Sequence, residues 1–269
     1  MSKTVAIAGL GWLGMSFAQR LQILGYHIKG SVTSIQKANS LQRSGIDAFQ
    51  VEISETGVTG SVQAFLSNAD YLVIMIPPGI RRNTGADYVI KMSHFLAEIE
   101  KSSVTKVILV SSTSVYNDAQ GIVTEKTIPK PTSLAGKQLL EVENIFFSSK
   151  KLNVSIVRFG GLFGGSRQPA RYLAGRKALR NGNAPVNLIH RDDCIGILLE
   201  IIKQEAFGHL FNAVIPQHPL KGAYYTKKTR ELGLVPPSYT QVMEDEVFKQ
   251  VDSERIDLVL GYTFTQNLD

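Results

Sequence analysis

Several things are scarce or missing in this sequence, and each removes a class of protein. One cysteine, Cys194, occurs in 269 residues. No disulfide can close within the chain and no cysteine-built metal cluster is available, so a cytoplasmic setting is the simplest expectation. No apolar run reaches the length of about twenty residues that crosses a bilayer, so no membrane partner is expected. The first apolar stretch is broken by three glycines and reads as strand, turn and helix, not as a secretory leader. No HExxH or carboxylate cluster of ligand spacing occurs, so no metal is expected. Lys and Arg number 29 against 23 Asp and Glu, a net charge of +6. These cations are scattered and not interleaved with aromatics, which argues for a basic surface and against nucleic acid. Internal repeats, low-complexity segments and long linkers are also absent.

What is present centres on Thr4-Val5-Ala6-Ile7-Ala8-Gly9-Leu10-Gly11-Trp12-Leu13-Gly14. A strand of Val, Ala and Ile without polar alternation is buried on both faces, as in a parallel sheet. Gly9 allows a sharp turn, Gly11 lets backbone approach a pyrophosphate, and Gly14 lets the next helix pack against the strand. That helix carries Phe17, Leu21 and Leu24 on its expected buried face, and its N–H groups and dipole suit phosphate. Gly9, Gly11, Trp12, Leu13 and Gly14 are therefore the first candidate cofactor residues.

Apolar strands are predicted at His27–Val32, Ala48–Ile53, Tyr71–Ile76, Lys106–Val110 and Val154–Phe159. Helices are predicted at Ser34–Ser44, Val62–Leu66, Ala86–Ile99 and Ser133–Phe147. This alternation implies right-handed βαβ units in a Rossmann-type, doubly wound parallel sheet with helices on both faces. Residues 1–160 form the expected NAD(P)-binding domain, and 161–269 a smaller mixed α/β substrate lobe. The strands Val186–His190 and Leu210–Ile215 are candidates to return to the sheet, with a helix at Asp192–Ile202 between them, capped by Asp192. Pro77-Pro78-Gly79 stiffens the cofactor edge, with Pro77 in a positioning role.

An NAD-preferring turn usually carries an acid about twenty residues on, which holds the ribose 2′-hydroxyl. No acid occurs here between Gly14 and Asp47. Thr33, Ser34 and Lys37 follow the second strand and suit a 2′-phosphate, so NADP is expected over NAD.

The segment Val110-Ser111-Ser112-Thr113-Ser114-Val115-Tyr116 ends a parallel strand with hydroxyls facing the ligand edge. With the glycine turn it resembles the extended short-chain dehydrogenase/reductase superfamily, in its NAD-dependent epimerase/dehydratase branch. Val157-Arg158-Phe159-Gly160-Gly161-Leu162-Phe163-Gly164, Asn187-Leu188-Ile189-His190-Arg191-Asp192-Asp193 and the closing Leu260-Gly261-Tyr262 carry the resemblance across nearly the whole chain. Two departures stand out. The superfamily's first glycine is Ala8 here. Its tyrosine–lysine pair, four residues apart on one helix face, falls on Ser133 and Lys137. A phenol has a pKa near 10 that a neighbouring ammonium can lower, whereas an aliphatic hydroxyl is a far weaker acid.

The resemblance implies that Lys137 bonds the nicotinamide ribose and that Ser112 or Thr113 bonds a substrate oxygen. With Ser133 these are the candidate catalytic residues. Arg167, from a cluster with Arg158, Arg171 and Arg176 around the second glycine loop, is expected to hold a substrate phosphate, and His190 is the second substrate candidate. Tyr116 reads as a core aromatic under its loop. Three functions follow. One is an oxidoreductase, epimerase or dehydratase that transfers hydride to or from a small hydroxy or keto substrate, a nucleotide sugar among them. Another is a catalytically inactive NAD(P)-binding, redox-responsive or interaction protein. A β-hydroxyacid dehydrogenase fits the glycine turn alone, but needs a largely helical second half. A homodimer through Ala86–Ile99 and Ser133–Phe147 is the expected assembly.

Overall fold

The computed structural model describes residues 2–79, 87–240 and 247–268. The first half alternates as the apolar runs require: β1 (Thr4–Ala8), α1 (Trp12–Ile23), β2 (His27–Val32), α2 (Ile35–Arg43), β3 (Asp47–Ser54), β4 (Gly57–Gly60), α3 (Val62–Leu66), β5 (Tyr71–Ile74), α4 (Tyr88–Lys101), β6 (Lys106–Ser112), β7 (Gly121–Val123) and α5 (Leu134–Phe147). Ala86, where the fourth helix was expected to begin, lies outside the described residues. The second half adds β8 (Asn153–Phe159), β9 (Gly161–Phe163), α6 (Pro169–Leu173), β10 (Leu188–His190), α7 (Arg191–Lys203), β11 (Leu210–Ala213), α8 (Lys221–Glu231), β12 (Lys249–Val251) and α9 (Glu254–Leu260).

Eight strands form one sheet in the order β11-β8-β6-β5-β1-β2-β3-β4. Every pair is parallel except the β3–β4 hairpin at the edge. The sequence reading missed that hairpin, whose second strand is short and glycine-bounded. β11 lies in the main sheet, whereas β10 pairs with β9 in a separate two-stranded piece.

Side chains divide between the faces with the period of two that a pleated strand imposes. Val5, Ile7, Val73, Ile108 and Val157 join a core with α1, α2, α7 and α9. Ala6, Ala8, Leu72, Ile74, Val107, Leu109 and Ile156 join the other, with α3, α4 and α5. Helices thus cover both faces, and Val5 to Ala8 are fully buried. Leu24, expected on the buried face of α1, is instead its exposed C-cap, because the helix ends at Ile23.

Cys194 is fully buried on α7, and burial with the neighbouring Asp193 pushes its thiol well above the ordinary range. The native protein is therefore expected to leave a colourless aromatic disulfide reagent uncleaved, and the unfolded protein to react with one equivalent. Rapid reaction of the native form would show an accessible thiolate at this position.

Candidate functional site

β1 has β2 on one side and β5 on the other, and the chain reverses direction across the sheet between them. In open α/β sheets ligands bind beyond the strand carboxyl ends at this point. Gly9 sits there with φ +105°, a conformation that side chains other than glycine rarely adopt. Ser31 of β2 anchors it: its hydroxyl accepts the Gly9 N–H at 3.2 Å and its carbonyl accepts the Leu10 N–H at 3.1 Å. A Cβ on Gly14 would lie 2.2 Å from the Gly9 carbonyl oxygen, so the helix can approach the turn only as glycine.

Gly11 is the N-cap of α1, and a Cβ built there meets nothing within 4 Å. Space therefore lies open beside the first turn. No side chain caps this helix end and no acid stands in its first turn. Its leading N–H groups have no partners within the helix, and the dipole favours an anion. These residues fit a dinucleotide pyrophosphate. Leu13 is buried in the core beside them and Trp12 is half-buried.

The neighbouring edge holds the residues expected to choose between coenzymes. The Lys37 ammonium donates to the Leu10 carbonyl at 2.9 Å, which ties α2 to the glycine turn. Ser34 is the N-cap of α2 and accepts the Lys37 N–H at 3.4 Å, while Thr33 is exposed. Pro77 is exposed just beyond β5. The Tyr88 hydroxyl donates to the Ile76 carbonyl at 2.8 Å and pins that exit.

At the end of β6, Ser112 caps a short 3₁₀ turn over Thr113–Val115, accepting the Ser114 N–H at 3.2 Å. Thr113 is buried. A Cβ on Gly136 would lie 2.4 Å from the Ser114 carbonyl oxygen, so the start of α5 is pressed against this turn. The structure thus brings Ser112 and Thr113 together with the helix end bearing Ser133 and Lys137. Ser133 is the N-cap of α5 and accepts the Gly136 N–H at 3.1 Å. Lys137 is exposed one turn on.

Behind this edge lies a buried polar network. Arg158 meets Glu143 with Nε 3.0 Å from Oε1 and Nη2 2.6 Å from Oε2, both side chains 3 % exposed. Glu143 Oε1 also accepts from the Ser111 hydroxyl at 2.5 Å. Arg158 Nη1 donates to the Tyr116 hydroxyl at 2.7 Å, and that phenol reaches the Thr124 carbonyl and Asn212 Oδ1. Burial raises the Tyr116 pKa, only partly opposed by Arg158. Tyr116 is the core aromatic expected. Arg158 is not part of a solvated arginine cluster: its partner Glu143 draws it inside, while Arg171 and Arg176 are exposed.

The second glycine loop closes on the first. Gly164 and Arg167 exchange backbone hydrogen bonds of 2.9 and 3.0 Å, a tight turn that sends the Arg167 guanidinium to 5.6 Å from the Trp12 ring centre. Arg191, the first residue of α7, lies 5.7 Å from the same ring. The sequence reading missed Arg191 as a site residue, since nothing local marks its approach to Trp12. It also assigned the cap of α7 to Asp192. His190 is the cap, its Nδ1 accepting the Asp192 N–H at 3.3 Å, and Asp192 stands in the first turn. His190 packs edge-on to Phe163 and lines a cleft of ≈ 260 Å³ with Gly164, Tyr224, Lys228 and Asn267. A second cavity of ≈ 730 Å³ lies between the segment 215–217 after β11, the start of α9 and the residues from Tyr262 to Asn267, and none of its lining residues belongs to the glycine turn.

A glycine turn at the switch point of a doubly wound sheet, with a hydroxyl-rich β6 end facing the start of α5, defines the Rossmann-type epimerase and short-chain dehydrogenase fold. UDP-glucuronic acid 4-epimerase from Bacillus cereus in complex with NAD superposes with a TM-score of 0.78 at 18 % identity, over 98 % of this chain and 92 % of that one. A short-chain dehydrogenase/reductase superfamily protein from Agrobacterium tumefaciens with bound NAD gives 0.77 at 18 %, over 98 % and 93 %. No family model matches the sequence. Protein YeeZ of Escherichia coli K12 is 35 % identical over 265 residues, covering 97 % of this chain and 96 % of its own. The chain belongs to the family of that protein.

Two stability outcomes follow. Glu143→Gln leaves a buried guanidinium without its counter-charge and is expected to cost about 3–5 kcal/mol in urea unfolding. Ser133→Ala removes only a helix cap and is expected to cost about 1 kcal/mol. Equal, small losses for both would show that the buried pair does not hold this edge together.

Proposed function

We propose that this chain binds a nicotinamide dinucleotide at the β1–α1 turn and serves as an epimerase, dehydratase or reductase acting on a small hydroxy or keto substrate, a nucleotide sugar among them. The observation that carries the reading is the open space at Gly11 beside an uncapped, acid-free helix start. The NAD bound by the structural neighbours supports it. Gly9, Gly11, Trp12, Leu13 and Gly14 would hold the pyrophosphate, and Pro77 would border the nicotinamide end. When bound, the coenzyme supplies hydride acceptance and donation.

Lys137 would orient the ribose, and Ser112 or Thr113 would donate to the substrate oxygen. Ser133 offers only an alkyl hydroxyl already used as a cap, so the transferred proton passes through another group or water. His190 uses Nδ1 in its own cap and leaves Nε2 for a substrate. NADP is the preferred coenzyme on this reading: Lys37 is held at the rim by the Leu10 carbonyl, Thr33 and Ser34 stand beside it, and α2 has no acid in its first turn. The second reading, a binding protein that performs no turnover, draws on two observations. The Tyr116 phenol is committed to a buried network and Ser133 to a helix end.

Trp12 is the chain's one tryptophan. Its emission is expected to fall as NADPH is added, with energy transfer to the reduced nicotinamide, and NADPH is expected to bind more tightly than NADH. Tighter NADH binding reverses the coenzyme preference. No heat and no change in emission with either coenzyme overturns the reading. Ser133→Tyr is expected to keep coenzyme affinity and to raise hydride transfer from a carbinol carbon of UDP-glucuronic acid or another sugar nucleotide to the oxidised coenzyme. A rate unchanged from the parent favours the non-catalytic form.

A further inference from the structure

Resting on the coenzyme reading above, we propose that Arg167 and Arg191 form a guanidinium clamp for the dinucleotide's diphosphate, with Trp12 as the surface that holds them. The two cations come from distant parts of the chain, one from the Gly164–Arg167 turn and one from the first residue of α7. They converge at 5.6 and 5.7 Å on the ring of the residue that opens α1. An aromatic face attracts a guanidinium without using its N–H donors. The donors remain available for phosphate oxygens, which a guanidinium fork matches two at a time.

The donor count at this point is one-sided. The Trp12 indole N–H is shielded from solvent and meets no acceptor among the described residues. Two guanidinium groups, one indole N–H and the leading N–H groups of α1 all donate. The acid closest to hand is Asp192, with Oδ1 3.4 Å from Arg191 Nε and Oδ2 3.7 Å from His190 Nδ1. It is about half exposed and occupies one edge of one guanidinium. Leaving a shielded donor unmet is costly, and an anion with several acceptor oxygens is the ligand that completes such a set. The arginine that the family likeness assigned to a substrate phosphate is thereby assigned to the coenzyme, paired with one that the likeness did not mark.

The test uses the full-length protein with Arg167→Gln, Arg191→Gln and the double variant, each checked for an unchanged thermal midpoint. Coenzyme affinity is measured by calorimetry at low and high salt, with inorganic pyrophosphate as a separate probe of Trp12 emission. Each single substitution is expected to weaken NADPH binding by about tenfold, and the double variant more, with a flatter salt dependence. Adenosine, which lacks phosphate, is expected to bind all forms alike. In the parent protein pyrophosphate is expected to shift Trp12 emission, a result that needs no variant to fold. Unchanged coenzyme affinity in the folded variants, or no response of Trp12 to pyrophosphate, overturns the clamp. A parent protein that binds neither coenzyme brings down the underlying reading, a distinguishable outcome.

Discussion

The distance between one helix and one carbonyl governs the rest of this molecule. A side-chain carbon on Gly14 would stand 2.2 Å from the oxygen of Gly9, well inside contact distance. α1 therefore lies against the turn that precedes it, backbone to backbone, and its first N–H groups point from a fixed position beside the ends of β1 and β5. Ser31 fixes the turn from the other side through two hydrogen bonds. Since β1 is flanked on both sides within the sheet, nothing that binds at this edge can be positioned independently of that contact. Main-chain geometry sets this end of the edge, and side chains decorate it.

The opposite end of the edge is held by charge. Glu143 of α5 and Arg158 of β8 pair in the interior, with Ser111 of β6, Tyr116 and Asn212 of β11 completing the network. Burying such a pair is expensive, and apolar residues of the same volume would give equal or greater stability. The pair gives directional bonds instead. From the helix that Ser133 caps, one carboxylate grips both β6, which ends in Ser112, and β8. These bonds hold the end of β6 and the start of α5 in one relative position.

Much of this was legible in the sequence, for a local reason. The inner strands β1 and β5 are buried on both faces, so they read as unbroken apolar runs, and Val5 to Ala8 are fully buried as their composition requires. The glycine turn is equally local: Gly9 takes a positive φ, and Gly14 lies against the Gly9 carbonyl five residues before it. Recognition of nearly the whole chain as one fold followed from motifs of that kind. The β3–β4 hairpin was not legible, because β4 is short and half exposed at an edge where burial leaves no pattern. Arg158 misled because the charge that pulls it inward lies on another element. His190 took the cap assigned to Asp192 because two successive aspartates strengthen the first turn of α7 as well as they would cap it. Arg191 and Trp12 are far apart in sequence, and no periodicity encodes their meeting.

α1 and α7 lie side by side against one face of the sheet and both begin at its carboxyl edge, so two positive dipole ends stand close together. They are not equivalent. α7 carries Asp192 and Asp193 in its first turn, which offset its own dipole. Asp193 is fully buried, and its Oδ1 accepts from the Tyr262 hydroxyl and from Thr265 N and Oγ1. The start of α7 thus carries its counter-charge within the chain, and Asp193 Oδ1 ties down the carboxyl-terminal segment. α1 has neither a capping side chain nor an acid, and has two arginines over its first residue. Two adjacent helix ends of the same sign would repel if both stayed uncompensated. Compensating one internally concentrates the attraction for an anion on the other, beside the glycine turn.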